Sequence, residues 1–328
     1  MTQLKMKMLL GAAAVSLASI SSSVFAIGGV NLSPSYTNGG NVGVGWGLMS
    51  QQTKIKAVRV EVDPKGWNFS LAAHGRIIQE AINQANITKI IVTYHDSGCL
   101  GCDDTAKLTA AATWLVNNKA ALHLTDPKVR INLFNEWGGH QISSTAWANA
   151  VNSAVKIIRA GGLTNRLIAD VPGLGQESIR GANGIKLVTD TNVVPSMHLY
   201  GSCYDEGSKN SAEVQAAGLT ASDVSSLGQC QTKYMNRLIA AGRGFLIGEY
   251  GTRQSGNSDS TYLGMVTTGR ASGDVYAWAW NGDGGSMNMV GQGFKSYQSG
   301  NLNNFVNGQD SYGYTLSGYF NEVYPYLP

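Results

Sequence analysis

Val129-Arg130-Ile131-Asn132-Leu133-Phe134 runs directly into Asn135-Glu136-Trp137, and Phe245-Leu246-Ile247-Gly248 runs directly into Glu249-Tyr250-Gly251. Each apolar run has the length of a strand covered on both faces. Each also delivers a glutamate where the strand would give way to a loop. Similar runs occur at Gly28–Leu32, Ala57–Val62, Lys89–Tyr94, Arg166–Val171, Val194–Tyr200 and Val275–Trp280, with the seventh extending over Gly244–Gly248. Between them lie stretches with helical periodicity at Ala72–Gln84, Thr105–Leu122, Thr145–Ala160 and Gln231–Ala241. In the third of these, Trp147, Val151, Ala154, Val155 and Ile158 make one apolar face. Eight strands alternating with helices predict an α/β fold, a single (β/α)8 TIM barrel with long loops at the C-terminal face of its strands. A doubly wound open sheet is the alternative, but it needs fewer strands, and no Gly-rich phosphate fingerprint follows an early strand. The tail from Gly313 to Pro328, with Tyr314, Tyr319, Tyr324 and Tyr326, is expected to pack as a last helix on the outside.

The N-terminus reads as a targeting segment. Lys5 and Lys7 precede the small apolar stretch Met8–Ile20, and Val24-Phe25-Ala26 offers the small residues of a cleavage site. Residues 1–26 are therefore expected to be a signal peptide and 27–328 one catalytic domain, secreted outside the cell or into a periplasm. The apolar stretch is too short for a convincing membrane anchor. Cleavage removes two lysines and no acid, and the nearly neutral remainder argues against nucleic acid or a membrane surface as the partner. A monomer is expected.

An oxidising compartment makes disulfides the default for Cys99, Cys102, Cys203 and Cys230. Their order suggests Cys99–Cys102 and Cys203–Cys230, although four cysteines allow three pairings. His95, Asp96, Cys99, Cys102 and Asp103 offer a zinc site as the alternative. A second metal-type cluster is lacking, which favours disulfides and no metal.

In a barrel, reactive groups come from the C-terminal ends of strands. Read in order, those ends carry Arg59, His95, Asn135 with Glu136, His198 with Tyr200, Glu249, and Trp278. Paired carboxylates are the working groups of glycosidic bond hydrolysis. Arg59 shares a strand face with Glu61, so it is either an ion-pair partner of that residue or part of the site. His74, His123 and His140 are read as structural, and Asp170 as structural or supporting.

Ala57-Val58-Arg59-Val60, Thr93-Tyr94-His95-Asp96, Asn135-Glu136, His198-Leu199-Tyr200, Gly248-Glu249-Tyr250-Gly251 and Ala277-Trp278-Ala279-Trp280 resemble, in order, the active-site pattern of glycoside hydrolase family 5. Gly29-Val30-Asn31-Leu32 is similar to that family's first strand. Within the family, Ala160–Asp170, Gly173-Leu174-Gly175-Gln176, Asn135-Glu136-Trp137 and Ala277–Gly282 look most like bacterial endo-β-1,4-mannanases. Two segments depart from the pattern, the Cys99/Cys102 insertion and the stretch from Tyr204 to Cys230. The resemblance implies a retaining glycosidase without a cofactor, with a β-1,4-linked polysaccharide such as mannan as its partner. Glu136 would be its acid/base and Glu249 its nucleophile. Arg59 and Tyr200 would hold Glu249, and Asn135, His95 and His198 would hydrogen-bond around the central subsite. Trp278 would be the sugar's stacking floor, with Trp280 on the same ideal strand face and Trp137 near the cleft rim as further contacts. An endo-β-1,4-glucanase is the nearest alternative. A carbohydrate-binding barrel without catalysis and a metal-dependent hydrolase are more distant ones.

Overall fold

Eight parallel strands pair in chain order and close on themselves in the computed structural model of the protein. The structure describes residues 26–36, 44–66, 69–200, 211–218, 235–252, 266–267, 269–271, 273–290, 305–306, 309–310 and 315–328. The strands are β1 Gly28–Leu32, β2 Ile55–Val62, β3 Lys89–Tyr94, β4 Val129–Asn132, β5 Leu167–Asp170, β6 Val193–Leu199, β7 Leu246–Tyr250 and β8 Asp274–Asn281. This is the expected (β/α)8 barrel. Residues 1–25 of the targeting segment, Trp67, Cys203, Cys230, the stretch from Tyr204 to 210, residues 231–234 and Tyr314 lie outside the described residues. Among those described, no helix is long and apolar enough to cross a membrane.

Helices begin where a side-chain oxygen satisfies their free N–H groups. Ser70 caps Leu71–Asn83, Asp104 caps Thr105–Asn117, and Ser143 caps Ser144–Ala160. The second of these is shorter than its periodicity predicts. Asn118 turns its side-chain amide back onto the Trp114 carbonyl at 2.8 Å and ends the helix there. The C-terminal helix is Gly318–Val323, capped by Ser317. It is fastened to the barrel by the Tyr250 hydroxyl donating to the Val323 carbonyl and the Tyr319 hydroxyl donating to the Trp278 carbonyl.

Side-chain alternation along the strands divides the core in two. Residues facing outward pack against the helices and make the larger apolar cluster. Ala57, Ile91, Ile168, Val194, Leu246 and Tyr276 form a separate cluster inside the barrel, toward the N-terminal ends of the strands. Two residues further along the same faces the chemistry changes to Arg59, Thr93, Asp170 and Ser196, all buried. The barrel thus has an apolar floor and a polar, charged upper half.

Candidate active site

Arg59 stands at the centre of the upper half, fully buried. Its Nη1 donates to Glu249 Oε1 at 2.7 Å, Asn31 Oδ1 at 2.9 Å and Glu61 Oε1 at 3.2 Å. Its Nη2 donates to Asn135 Oδ1 at 2.5 Å and lies 3.7 Å from Asp170 Oδ2. The two readings of Arg59 are therefore not exclusive, since it pairs with Glu61 and reaches Glu249 with one nitrogen. A buried charge is tolerated only when paired and hydrogen-bonded. Four strand ends and the loop after β4 supply those partners.

Glu249 is buried, with its second oxygen accepting the Tyr200 hydroxyl at 2.5 Å. Burial pushes its carboxyl up to about 7, with Glu136 and Glu61 adding to the shift and the positive His198 and Arg59 opposing it. His198 Nδ1 lies 2.9 Å from Glu136 Oε1 and 3.5 Å from Glu249 Oε1, and its Nε2 lies 3.4 Å from Asp170 Oδ2. Burial works against its charge, but Glu249 and Asp170 outweigh burial and raise it to about 10. Gly248 makes room for this ring. A Cβ there would sit 2.4 Å from Ser196 Oγ and 3.1 Å from His198 Nε2.

Around this centre the charges alternate. His95 Nδ1 lies 3.1 Å from Glu61 Oε2, which also accepts the Ser33 hydroxyl at 2.9 Å. Against its burial, Glu61 raises His95 to about 9, while His95 and Arg59 bring Glu61 down to about 2. Against the same desolvation, His198 and Arg59 hold Asp170 well below the usual carboxylate range. Asn31 ties β1 to its neighbour β8 and to β7 beyond it, its amide donating to the carbonyls of Ala277 and Gly248.

In an ideal strand Asn135 and Glu136 would point to opposite faces. β4 instead ends at Asn132, and Glu136 adopts a left-handed backbone with φ of 53°. The turn brings the Asn135 amide to Arg59 and the Glu136 carboxylate to His198. A non-glycine residue in that region costs on the order of 1–3 kcal/mol and persists only where its surroundings hold it. Glu136 is held on both flanks. Its N–H donates to Asp170 Oδ2 at 2.9 Å and its carbonyl accepts the Gly101 N–H at 2.8 Å.

Glu136, His198 and Glu249 each present an atom within 4.8 Å of the other two, the geometry of a candidate cation site. A cation there would have to displace the proton that Glu249 and Asp170 favour on His198. The alternative zinc cluster is ruled out by its own cysteines, because Cys99 and Cys102 form a disulfide, as their order suggests.

Two of the expected sugar contacts are corrected by the structure. Trp280 is fully buried and its indole donates to the Val44 carbonyl. The register of β8 against β1 slips between Ala277 and Asn281, so strict alternation fails and the two tryptophans part company. Trp137 is also buried, donating to the Asp104 carbonyl, because the left-handed turn at Glu136 sends it down beside Phe134 and Trp147. Trp278 stays partly exposed, with its indole N–H on Asp283 Oδ1 at 2.9 Å. Sequence reasoning missed Asn31 and gave Asp170 and Glu61 too small a part. Their position on the inward face beside Arg59 was the available signal.

A cavity of about 580 Å³ lined by Lys89, Arg130, Arg166 and Leu246 opens at the opposite end of the barrel. Conserved chemistry in barrels of this kind does not sit at that end. The cluster around Arg59, Glu136 and Glu249 matches in kind and order the pattern quoted from the sequence, and a family model described as Cellulase (glycosyl hydrolase family 5) matches residues 49–285.

The chain belongs to glycoside hydrolase family 5.

Among the relatives, the mannan endo-1,4-beta-mannosidase of Streptomyces lividans is 29% identical over 243 residues, covering 71% of this chain and 56% of that protein. That of Salipaludibacillus agaradhaerens is 28% identical over 211 residues, covering 63% and 61%. The chain thus spans less than two thirds of the length of either relative. The catalytic domain of a mannanase from Streptomyces sp. SirexAA-E shares the fold with a TM-score of 0.62, at 21% identity over 92% of this chain and 84% of that one.

Proposed function

We propose that this family 5 chain is a secreted endo-β-1,4-mannanase that hydrolyses internal mannosidic bonds with retention of configuration. One observation carries the reading: a carboxylate oxygen of Glu136 and one of Glu249 lie within 4.8 Å of each other at the barrel mouth. Retaining glycosidases set their carboxyl groups about 5–5.5 Å apart. Inverting ones need roughly 6.5–9.5 Å to admit a water. The relatives' names supply the mannan.

Glu249 is the nucleophile. Its oxygen attacks the anomeric carbon as the glycosidic C–O bond breaks, and Glu136 gives its proton to the departing oxygen. In the second half Glu136 takes a proton from water, whose oxygen displaces Glu249 from the sugar. The reaction needs the one proton of the pair on Glu136. Arg59 and Tyr200 donate to both oxygens of Glu249 and favour its ionised form there. Arg59 faces Glu249, His95 faces Glu61 and His198 faces Asp170 within the buried cluster. The arrangement also fits Asn135, fixed by Arg59, as a hydrogen-bond partner for the sugar's 2-hydroxyl, and Trp278 as the stacking floor.

Glu249→Gln should abolish release of reducing sugar from a soluble mannan while the protein still melts cooperatively. Turnover surviving that change would remove Glu249 from the chemistry. The endo-β-1,4-glucanase reading is favoured by the description of the matched family model. Comparing galactomannan, glucomannan and carboxymethylcellulose separates the two, with the galactomannan rate highest under the present reading.

A further inference from the structure

The segment after β3, from Asp96 to Asp104, runs beside the segment after β4 that carries Glu136. Four hydrogen bonds lace them together. The Gly101 N–H donates to the Glu136 carbonyl at 2.8 Å, and the Gly138 N–H to the Cys102 carbonyl at 2.9 Å. The Gly139 N–H donates to Asp103 Oδ1, and the Trp137 indole N–H to the Asp104 carbonyl at 3.0 Å. All four partners on the first segment lie inside or directly after the small ring closed by the Cys99–Cys102 disulfide. The ring is anchored at both ends. Cys99 is buried in the core, and the Asp104 side chain caps the helix Thr105–Asn117. Gly101 is left-handed at φ of 66°, and a Cβ there would lie 2.7 Å from Leu174 Cδ1, so the ring is also wedged against the segment after β5.

We infer that the Cys99–Cys102 ring is a positioning clamp for Glu136, acting through the backbone of the segment that bears it. The inference rests on the reading of Glu136 as acid/base. A ring this short removes less chain entropy from the unfolded state than a long one, so global stability is a poor explanation for it. Its contacts run instead along residues 136–139, one on the carbonyl of Glu136 and three on the residues that follow it, and hold from outside the turn in which Glu136 is left-handed. Displacing that carboxyl by about 1 Å is enough to cost around 100-fold in rate when a proton must be delivered to a leaving oxygen.

The test uses the full chain with Cys99→Ser and Cys102→Ser together, and two substrates that differ in need of an acid. Mannohexaose has a sugar leaving group that requires protonation, whereas a dinitrophenyl β-mannoside releases a phenolate that does not. The clamp predicts that kcat/KM on mannohexaose falls at least tenfold while that on the dinitrophenyl glycoside changes less than twofold. Equal losses on both substrates, or no loss on either, would overturn it. Should the double variant fail to fold, Asp103→Ala removes only the exposed bond to Gly139 and should show the same split at several-fold. An even loss, or none, would again overturn the clamp. Glu136→Ala is the reference. If it shows the split and the cysteine variant does not, the clamp alone fails. If the unaltered chain cleaves neither substrate, the mannanase reading fails first.

Discussion

Asp170, the last residue of β5, accepts the backbone N–H of Glu136 at 2.9 Å while its carboxylate also faces His198 and Arg59. It holds the main chain of Glu136, the proposed acid/base, and faces the charges of Arg59 and His198. Asp170→Asn keeps the shape but removes the charge that Arg59 and His198 face. We expect kcat on mannan to fall about 10- to 100-fold with little change in KM, since positioning errors of this kind act on the transition state. Steady-state kinetics on a soluble mannan decide it. A selective rise in KM would mean that Asp170 serves binding instead.

The two tryptophans of β8 should behave oppositely. Trp278→Ala removes a partly exposed ring that the proposed function makes the stacking floor, so KM should rise while the melting temperature stays within a few degrees. Trp280→Ala empties a fully buried site and should destabilise by about 3–5 kcal/mol, with turnover per folded molecule nearly unchanged. Paired melts and kinetics of the two variants check this, and an intact melting temperature for Trp280→Ala would contradict the burial.

Burial sets the acid limb of activity. As the proposed nucleophile Glu249 must be ionised, and it is pushed up to about 7. Rate should therefore fall as pH drops through about 7, well above the ordinary glutamate value of 4.5. A kcat/KM profile for mannooligosaccharide, read as the pair's macroscopic titration, tests it. A flat profile down to pH 5 would show that Arg59 and Tyr200 overcome the desolvation.

Stability has its own window, fixed by the signs of the shifts. Folded values above the unfolded ones, as for His95 at about 9 and His198 at about 10, give stability that is complete below 6.5 and lost as pH rises through those values. Glu61, lowered to about 2, gives stability complete above 4.5 and lost as pH falls. Glu249, raised to about 7, gives stability complete below 4.5 and lost between 4.5 and about 7, ahead of the histidine losses. The melting temperature should be highest at about pH 5–6 and decline toward pH 9. Histidine to asparagine at His198 should flatten the alkaline decline.

The barrel was legible because its signal is repeated, and every expected strand is present within a few residues. The departures have local causes. The seventh run begins later than its apolar pattern, since Gly244 is left-handed at φ of 70° and cannot extend a strand. The fourth stops early for the turn at Glu136. Arg59, His95, Asn135, His198, Tyr200 and Glu249 lie in one network of hydrogen bonds and ion pairs, most of them on inward faces set by alternation. Trp280 and Trp137 went astray where alternation breaks, at a register slip and a left-handed residue that composition does not announce. Asp170 was read as structural or supporting and does support Glu136, whereas Asn31 was assigned no role. Alternation put both on the inward face, but their partners on other strands are not written in any linear pattern.

The central claim is that Glu249 becomes covalently attached to the sugar. A 2-deoxy-2-fluoro mannoside with a good leaving group should trap that species, and peptide mapping by mass spectrometry locates it. The account predicts a single adduct on the peptide containing Glu249, absent from Glu249→Gln. An adduct on Glu136, or rapid turnover with no adduct and inverted product, would contradict it.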